Sequence, residues 1–396
     1  MTLRLTSRAA LENCRWLLLV AVVALLSACA SPAMPSIPGG AASLFLDGKF
    51  RAPDLRPDPS AVFQLSASMQ RYLDDEMVPV VKRRGIRQGL IDALYSGDHL
   101  RLEYDAAYTR NAKEAYAARS GNCLSLVIMT AAFARALGLD ITFNRVSIDE
   151  QWRLSGNLMM AAGHVNLSLG RRRLGDRLTY DINNVVTIDF LPPAEIERQR
   201  SEPITEATIV GMYMNNRAAE SLAEDRIDEA YWFAREAIVQ APAEVAGYNT
   251  LAVVYMRRGQ EQAAERVLRL ALQRNADNTR LLGNLVQLLE QQGREAERRP
   301  LAQRLQALEP VTPYRDFHLG QAALREGRYG QALTLFTQEL ARAPEQPDAH
   351  FGLARAYLAL GQVNEARRHL QFARELSTSR GEAALYAAKL GRLPVQ

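Results

Sequence analysis

Three residue types that together support acyl-transfer chemistry occur in order in the first half of the 396-residue chain: Cys123, His164 and Asp181. Cys14 and Cys29 lie in or at the edge of an N-terminal export-type leader, which leaves Cys123 as the only unmodified thiol of the mature chain. It has no disulfide partner within its own chain. The stretch Arg119-Ser120-Gly121-Asn122-Cys123 runs directly into the apolar Leu124 to Leu137, so Cys123 is expected at a helix N-terminus. Such an end stabilises a thiolate. His164 opens the alternating stretch His164-Val165-Asn166-Leu167-Ser168-Leu169, on the face opposite Val165, Leu167 and Leu169. Asp181 closes the strand-like Leu178-Thr179-Tyr180. A cysteine hydrolase needs a thiolate, a histidine that takes and returns its proton, and a third group that fixes the imidazole tautomer. One helix and two neighbouring strands would bring the three together.

Each residue also has a plainer reading. A lone cysteine beside an apolar run can be an inert core residue. A strand histidine can be a satisfied polar group, and Asp181 before Asn183 and Asn184 can be turn chemistry. A zinc site from Cys, His and Asp lacks a CxxC or HxxxH pair, and no metal or other cofactor is expected. His99, beside Asp98, is the other histidine of this half and is expected to face solvent.

The elements that must position these groups follow from periodicity. Helical spacing runs through Val62, Leu65, Met69 and Leu73, and again through Ile86, Leu90, Ile91 and Leu94. Thr109 is expected to cap a short helix around Ala112 to Ala118. After the helix of 123–137, Gly138 supplies the stop and the pattern turns to alternation over 141–148, 164–169 and 178–182. Helices followed by an antiparallel sheet packed on one of them make an α+β domain over residues 61–200.

At this point the sequence resembles the transglutaminase-like superfamily of papain-like cysteine peptidases. The resemblance rests on Gly121-Asn122-Cys123-Leu124-Ser125 before a helix ending Ala134-Arg135-Ala136-Leu137-Gly138-Leu139, then Gly163-His164-Val165, then Tyr180-Asp181-Ile182-Asn183. It implies a papain-like fold over about residues 60–195, with Cys123 as nucleophile, His164 as general base and acid, and Asp181 as the orienting carboxylate. The backbone N–H of Cys123 would be one oxyanion donor, and no residue is assigned as the second.

The C-terminal half follows another rule. Gly259, Gly293, Gly327 and Gly361 stand 34 residues apart, the tetratricopeptide period. In register with them are Ala230, Ala264, Ala332 and Ala366, then Ala218, Ala252, Val286, Gly320 and Ala354, and the prolines Pro242, Pro310 and Pro344. Small residues let paired helices approach, glycine ends the first helix, and proline stops the second. An all-α repeat solenoid is expected over 205–396, with repeats at 211–244, 245–278, 279–312, 313–346 and 347–380 and a closing helix over 381–391. Asp225 replaces the glycine of the first repeat and Arg298 the alanine of the third, where Pro300 also falls inside a helix.

The leader itself carries Arg4, Arg8 and Arg15, an apolar run Trp16 to Leu26, and Leu26-Ser27-Ala28-Cys29. This resembles a bacterial lipoprotein signal over 1–28 with Cys29 as the lipidation site, and implies an outer-membrane lipoprotein facing the periplasm. Prolines and glycines over 29–60 read as an unpacked tether. A hydrophobic content of 48% with 23% charged residues is that of a globular chain, and a net charge of +4 without basic runs interleaved with aromatics excludes a nucleic-acid binder. The expected function is an envelope-anchored cysteine peptidase or amidase whose repeats recruit a protein or peptide partner. The alternatives are transfer of the acyl group to an amine, or a non-catalytic scaffold acting through its repeats.

Overall fold

In a computed structural model the described residues are 41–53, 56–95, 100, 102–155, 158–170, 186–190, 200–308 and 314–393. The leader, Cys29, His99, Asp181 and the strand expected at 178–182 lie outside them.

The first half opens with helices α1 (Ala67–Tyr72) and α2 (Val78–Arg84), joined through one π-helical turn, and α3 (Ile86–Tyr95). A two-residue strand β1 (Glu103–Tyr104) follows, then α4 (Ala112–Ala118), β2 (Ser120–Gly121) and α5 (Cys123–Ala136). The cap of α4 is Asn111 and not Thr109: the Asn111 carboxamide accepts from the Glu114 N–H while the Glu114 carboxylate accepts from the Asn111 N–H. Two orphan donors are thus satisfied reciprocally, which a threonine two residues upstream cannot do.

Helix α5 is the pillar of this half. Leu124 through Ala134 are all buried, and Ile128, Met129 and Phe133 are fully enclosed. At about 1.5–3 kcal/mol per large apolar side chain removed from water, these three residues alone tie the helix firmly into place. A helix apolar on every side must be covered on every side. Helices cover one flank, and the other faces an antiparallel sheet of β3 (Asp140–Ser155), β4 (Leu158–Gly170), β5 (Val186–Ile188) and β6 (Arg200–Ile204), ordered β5-β4-β3-β6. Gly138, with φ +73°, makes the turn from helix to sheet.

The described residues of 206–391 form eleven helices in antiparallel succession: α6 (Glu206–Ala223), α7 (Ile227–Gln240), α8 (Val245–Arg257), α9 (Glu261–Arg274), α10 (Thr279–Gln291), α11 (Glu295–Leu308), α12 (Arg315–Arg325), α13 (Tyr329–Arg342), α14 (Pro347–Ala359), α15 (Val363–Leu376) and α16 (Arg380–Gly391). The four periodic glycines all have positive φ, between +67° and +75°, at the turns within helix pairs. Asp225 occupies the corresponding turn at φ +58°, a conformation aspartate tolerates better than most residues. Ala230, Ala264, Ala332 and Ala366 are completely buried, and a Cβ on Gly320 would lie 2.8 Å from the Phe336 ring. The periodic small residues are therefore dictated by close helix packing. The closing helix α16 is held by Tyr386, which packs 5.2 Å from Phe351, while Leu385 is half exposed.

Three departures from expectation concern how segments join. The stretch read as tether is packed over residues 44–53: Phe50 stacks on Tyr231 with ring centroids 3.9 Å apart, Trp232 donates to the Arg51 carbonyl at 2.8 Å, and Tyr255 donates to the Leu44 carbonyl at 2.7 Å. The boundary near residue 205 is no gap, because Ile209, Val210, Tyr213 and Met214 of α6 belong to the same core as α5 and the sheet. The turn before α16 also reaches back, with the Ala106 N–H donating to the Thr378 carbonyl at 2.9 Å and Arg380 paired with Glu103.

Candidate functional site

Cys123 is the first residue of α5, directly after the cap Asn122, whose carboxamide oxygen accepts from the Ser125 N–H at 2.9 Å. It is partly exposed and is the free thiol among the described residues. Its Sγ lies 4.0 Å from the Gly163 carbonyl, so the start of α5 meets the stretch of β4 that carries His164.

Sheet register explains the aim of His164. Val146 of β3 pairs with His164, and the register shifts between Val146 and Gln151, so an irregularity of β3 lies directly beside the histidine. Bulges of this sort re-aim side chains. On the other side β5 pairs Leu167 with Ile188 and Leu169 with Val186. Continuing that register puts Asp189 opposite Asn166, on the face shared by His164 and Asn166. The contacts follow: His164 Nε2 lies 2.6 Å from Asp189 Oδ1, and Asn166 donates to Asp189 Oδ2 at 2.8 Å.

Both partners are withdrawn from water, with side chains 2% and 5% exposed. Burial opposes charging the imidazole, but the hydrogen bonds to Asp189 and to the Cys123 thiol, and the charges of both, outweigh it and push the His164 pKa up to about 9. With Nε2–H given to Asp189, Nδ1 is the ring nitrogen left for a second partner. The tautomer follows from this hydrogen-bond pattern.

Of the expected site residues, the structure brings Cys123 and His164 together. The carboxylate found at His164 among the described residues is Asp189, which sequence reasoning did not single out; the expected Asp181 lies outside the described residues. The signal for Asp189 was present in Val186-Thr187-Ile188-Asp189, an alternating run ending in an acid, but only the pairing of that run with β4 identifies its partner. Among the described residues no group of three or more His, Cys, Asp or Glu side chains is arranged to hold a metal ion.

The comparisons with known proteins bear on the other half. A tetratricopeptide repeat family model matches residues 323–387. The 34-residue repeats are tetratricopeptide repeats. Stacked helix pairs of this class present extended surfaces to proteins and peptides, and protein–protein interaction is the role they support here. Solved structures similar to the chain include YrrB, described as a TPR protein with an unusual peptide-binding site, at 21% identity over 45% of this chain and 92% of that one, with a TM-score of 0.25. They also include pilF of Pseudomonas aeruginosa, at 20% identity over 46% and 83% of the two chains and a TM-score of 0.27, and MamA, at 18% identity over 49% and 100% with a TM-score of 0.25. No curated protein matches the sequence.

Proposed function

We propose that the chain is a protein-binding scaffold that carries a cysteine acyl-transfer centre, with Cys123 as nucleophile, His164 as base and acid, and Asp189 as the carboxylate that orients the imidazole. The observation that carries this reading is the 2.6 Å contact between buried His164 and Asp189 beside a thiol at the start of a helix. The resemblance to transglutaminase-like, papain-like cysteine peptidases in the stretches around Cys123 and His164 supports it; the third stretch, around Asp181, lies outside the described residues.

In this reading the proton of the Cys123 thiol already rests on the His164 imidazolium at neutral pH, and the Cys123 thiolate attacks an amide carbonyl. Backbone N–H groups at the start of α5, that of Cys123 first, stabilise the oxyanion. The imidazolium then gives its proton to the departing amine and leaves a thioester. The neutral His164 next takes a proton from water, the hydroxide attacks the thioester, the carboxylic acid departs, and the Cys123 thiolate is restored beside the His164 imidazolium. Asp189 holds its geometry and charge throughout. An amine in place of water would give a new amide by the same steps. The repeats would recruit the protein that supplies the amide, and Cys29 would hold the assembly at a membrane as a lipoprotein of the bacterial envelope.

The family match lies within the repeats, and it favours the coarser reading of an interaction scaffold, which needs no reactive thiol. An iodoacetamide or vinyl-sulfone probe separates the two at neutral pH. Selective labelling of Cys123, lost by a factor of about ten or more in His164→Ala, is expected if the centre is catalytic. Absence of labelling, or labelling indifferent to His164, leaves the scaffold alone.

A further inference from the structure

Thr109 is a polar residue only 1% exposed, it does not cap the helix that follows it, and every polar group it owns is engaged. Its N–H donates to Glu220 Oε1 at 2.7 Å and its carbonyl accepts from Arg217 at 3.3 Å. Its hydroxyl oxygen accepts from Asn122 Nδ2 at 2.8 Å and from Asn216 Nδ2 at 3.2 Å, and its hydroxyl hydrogen goes to Glu220. Asn216, Arg217 and Glu220 are all on α6, the first helix of the repeats. Asn122 is the cap immediately before Cys123.

The geometry points to Thr109 as a positioning residue for Cys123, locked from behind by Asn216 and Glu220 of the first repeat helix. The inference rests on the reading of Cys123 as a nucleophile. Asn122 has one carboxamide with two ends: the oxygen caps α5 through the Ser125 N–H and also accepts from the Ser125 hydroxyl at 2.8 Å, and the nitrogen goes to Thr109. The buried Ser125 hydroxyl in turn accepts from the Arg110 N–H at 2.8 Å, which pins the residue next to Thr109 to the same turn. With both ends committed, the carboxamide cannot rotate without losing the cap or leaving buried donors unpaired. The torsions of Asn122 set where the next residue begins, so they set the direction of Sγ and of the Cys123 N–H together. Reactive groups misplaced by about 1 Å lose on the order of a hundredfold in rate. A repeat array that only recruited a substrate would have no need to grip the cap of the nucleophile helix.

The test uses the full chain and the rate of Cys123 alkylation by iodoacetamide, followed from pH 5 to pH 9, with circular dichroism and melting temperature as controls. Thr109→Val keeps the shape and removes the hydroxyl, and a roughly tenfold slower reaction with an altered rate-against-pH profile is expected. Thr109→Ser restores the hydroxyl without the methyl group and is expected to recover most of the rate. Asn216→Ala, a milder change on α6, is expected to slow the reaction two- to fivefold, and it serves as the measurement if Thr109→Val does not fold. A wild-type thiol that is reactive and dependent on His164, yet within twofold in both the Thr109→Val and Asn216→Ala chains, overturns the positioning role. So does failure of Thr109→Ser to recover the rate. A wild-type thiol that does not react overturns the catalytic reading instead, so the two failures are told apart.

Discussion

His164 holds its proton through the neutral range because Asp189 and Cys123 favour the imidazolium more than burial disfavours it. A histidine pKa raised from 6.5 to about 9 means the folded chain binds a proton that the unfolded chain releases. The stabilising contribution is complete below about pH 6.5 and is lost as pH rises through about 9. The His164 C2–H resonance should therefore titrate with a midpoint near 9. Asp189→Asn should bring that midpoint down by about one unit or more, whereas Asp181→Asn should leave it in place. A wild-type midpoint near 6.5, or a larger effect from Asp181 than from Asp189, would show that the charge partner has been misassigned. The thiol and the histidine were legible in the chain because each sits at a marked place, the start of an apolar helix and the start of the alternating run within β4. The carboxylate was not, because two acids follow similar short apolar runs and the choice between them depends on which run pairs with β4.

The repeat period was readable in the sequence, since a glycine at four of the tight turns and an alanine at four of the close crossings are demands of local geometry that recur at 34-residue spacing. Residues 44–53 carried no such pattern. Their prolines and polar residues suggested a tether, but Phe50 and Leu44 fill a recess against Tyr231 and Tyr255, and Asp47 accepts from Arg235 at 3.0 Å. Short irregular segments have no periodicity to betray that one side is buried. Phe50→Ala should lower the urea midpoint and cost about 3 kcal/mol of unfolding free energy, in the range for a buried phenylalanine. A change below about 0.5 kcal/mol would mean that this segment is the loose tether its composition suggested. In the third repeat the second helix is thinly packed: α11 has Pro300 in its interior and no buried side chain, and Arg298, in place of the usual alanine, bonds to Glu295 at 2.6 Å.

Across the whole chain, the leader, the chemistry and the repeats are read independently, and the leader can be tested by itself: Cys29→Ala should abolish lipid labelling and move the protein to the soluble fraction, and continued membrane retention would overturn the lipoprotein reading. The chain from Leu44 onward clusters as one unit, which periodicity did not anticipate. Helix α6 begins the repeats and also completes the core around α5, and the turn before α16 returns to the loop after β1. By itself the sequence determined the repeat period, the helix that begins at Cys123, and the alternation that follows His164, because each is written in the spacing of neighbouring residues; that the strand already begins at Leu158 was not. Only the tertiary structure decided that Asp189 meets His164, that Thr109 joins the Cys123 cap to a repeat helix, and that residues 44–53 are packed. Those pairings join residues from 13 to 211 positions apart, and they are fixed by sheet register and by the surfaces left after the local elements have formed.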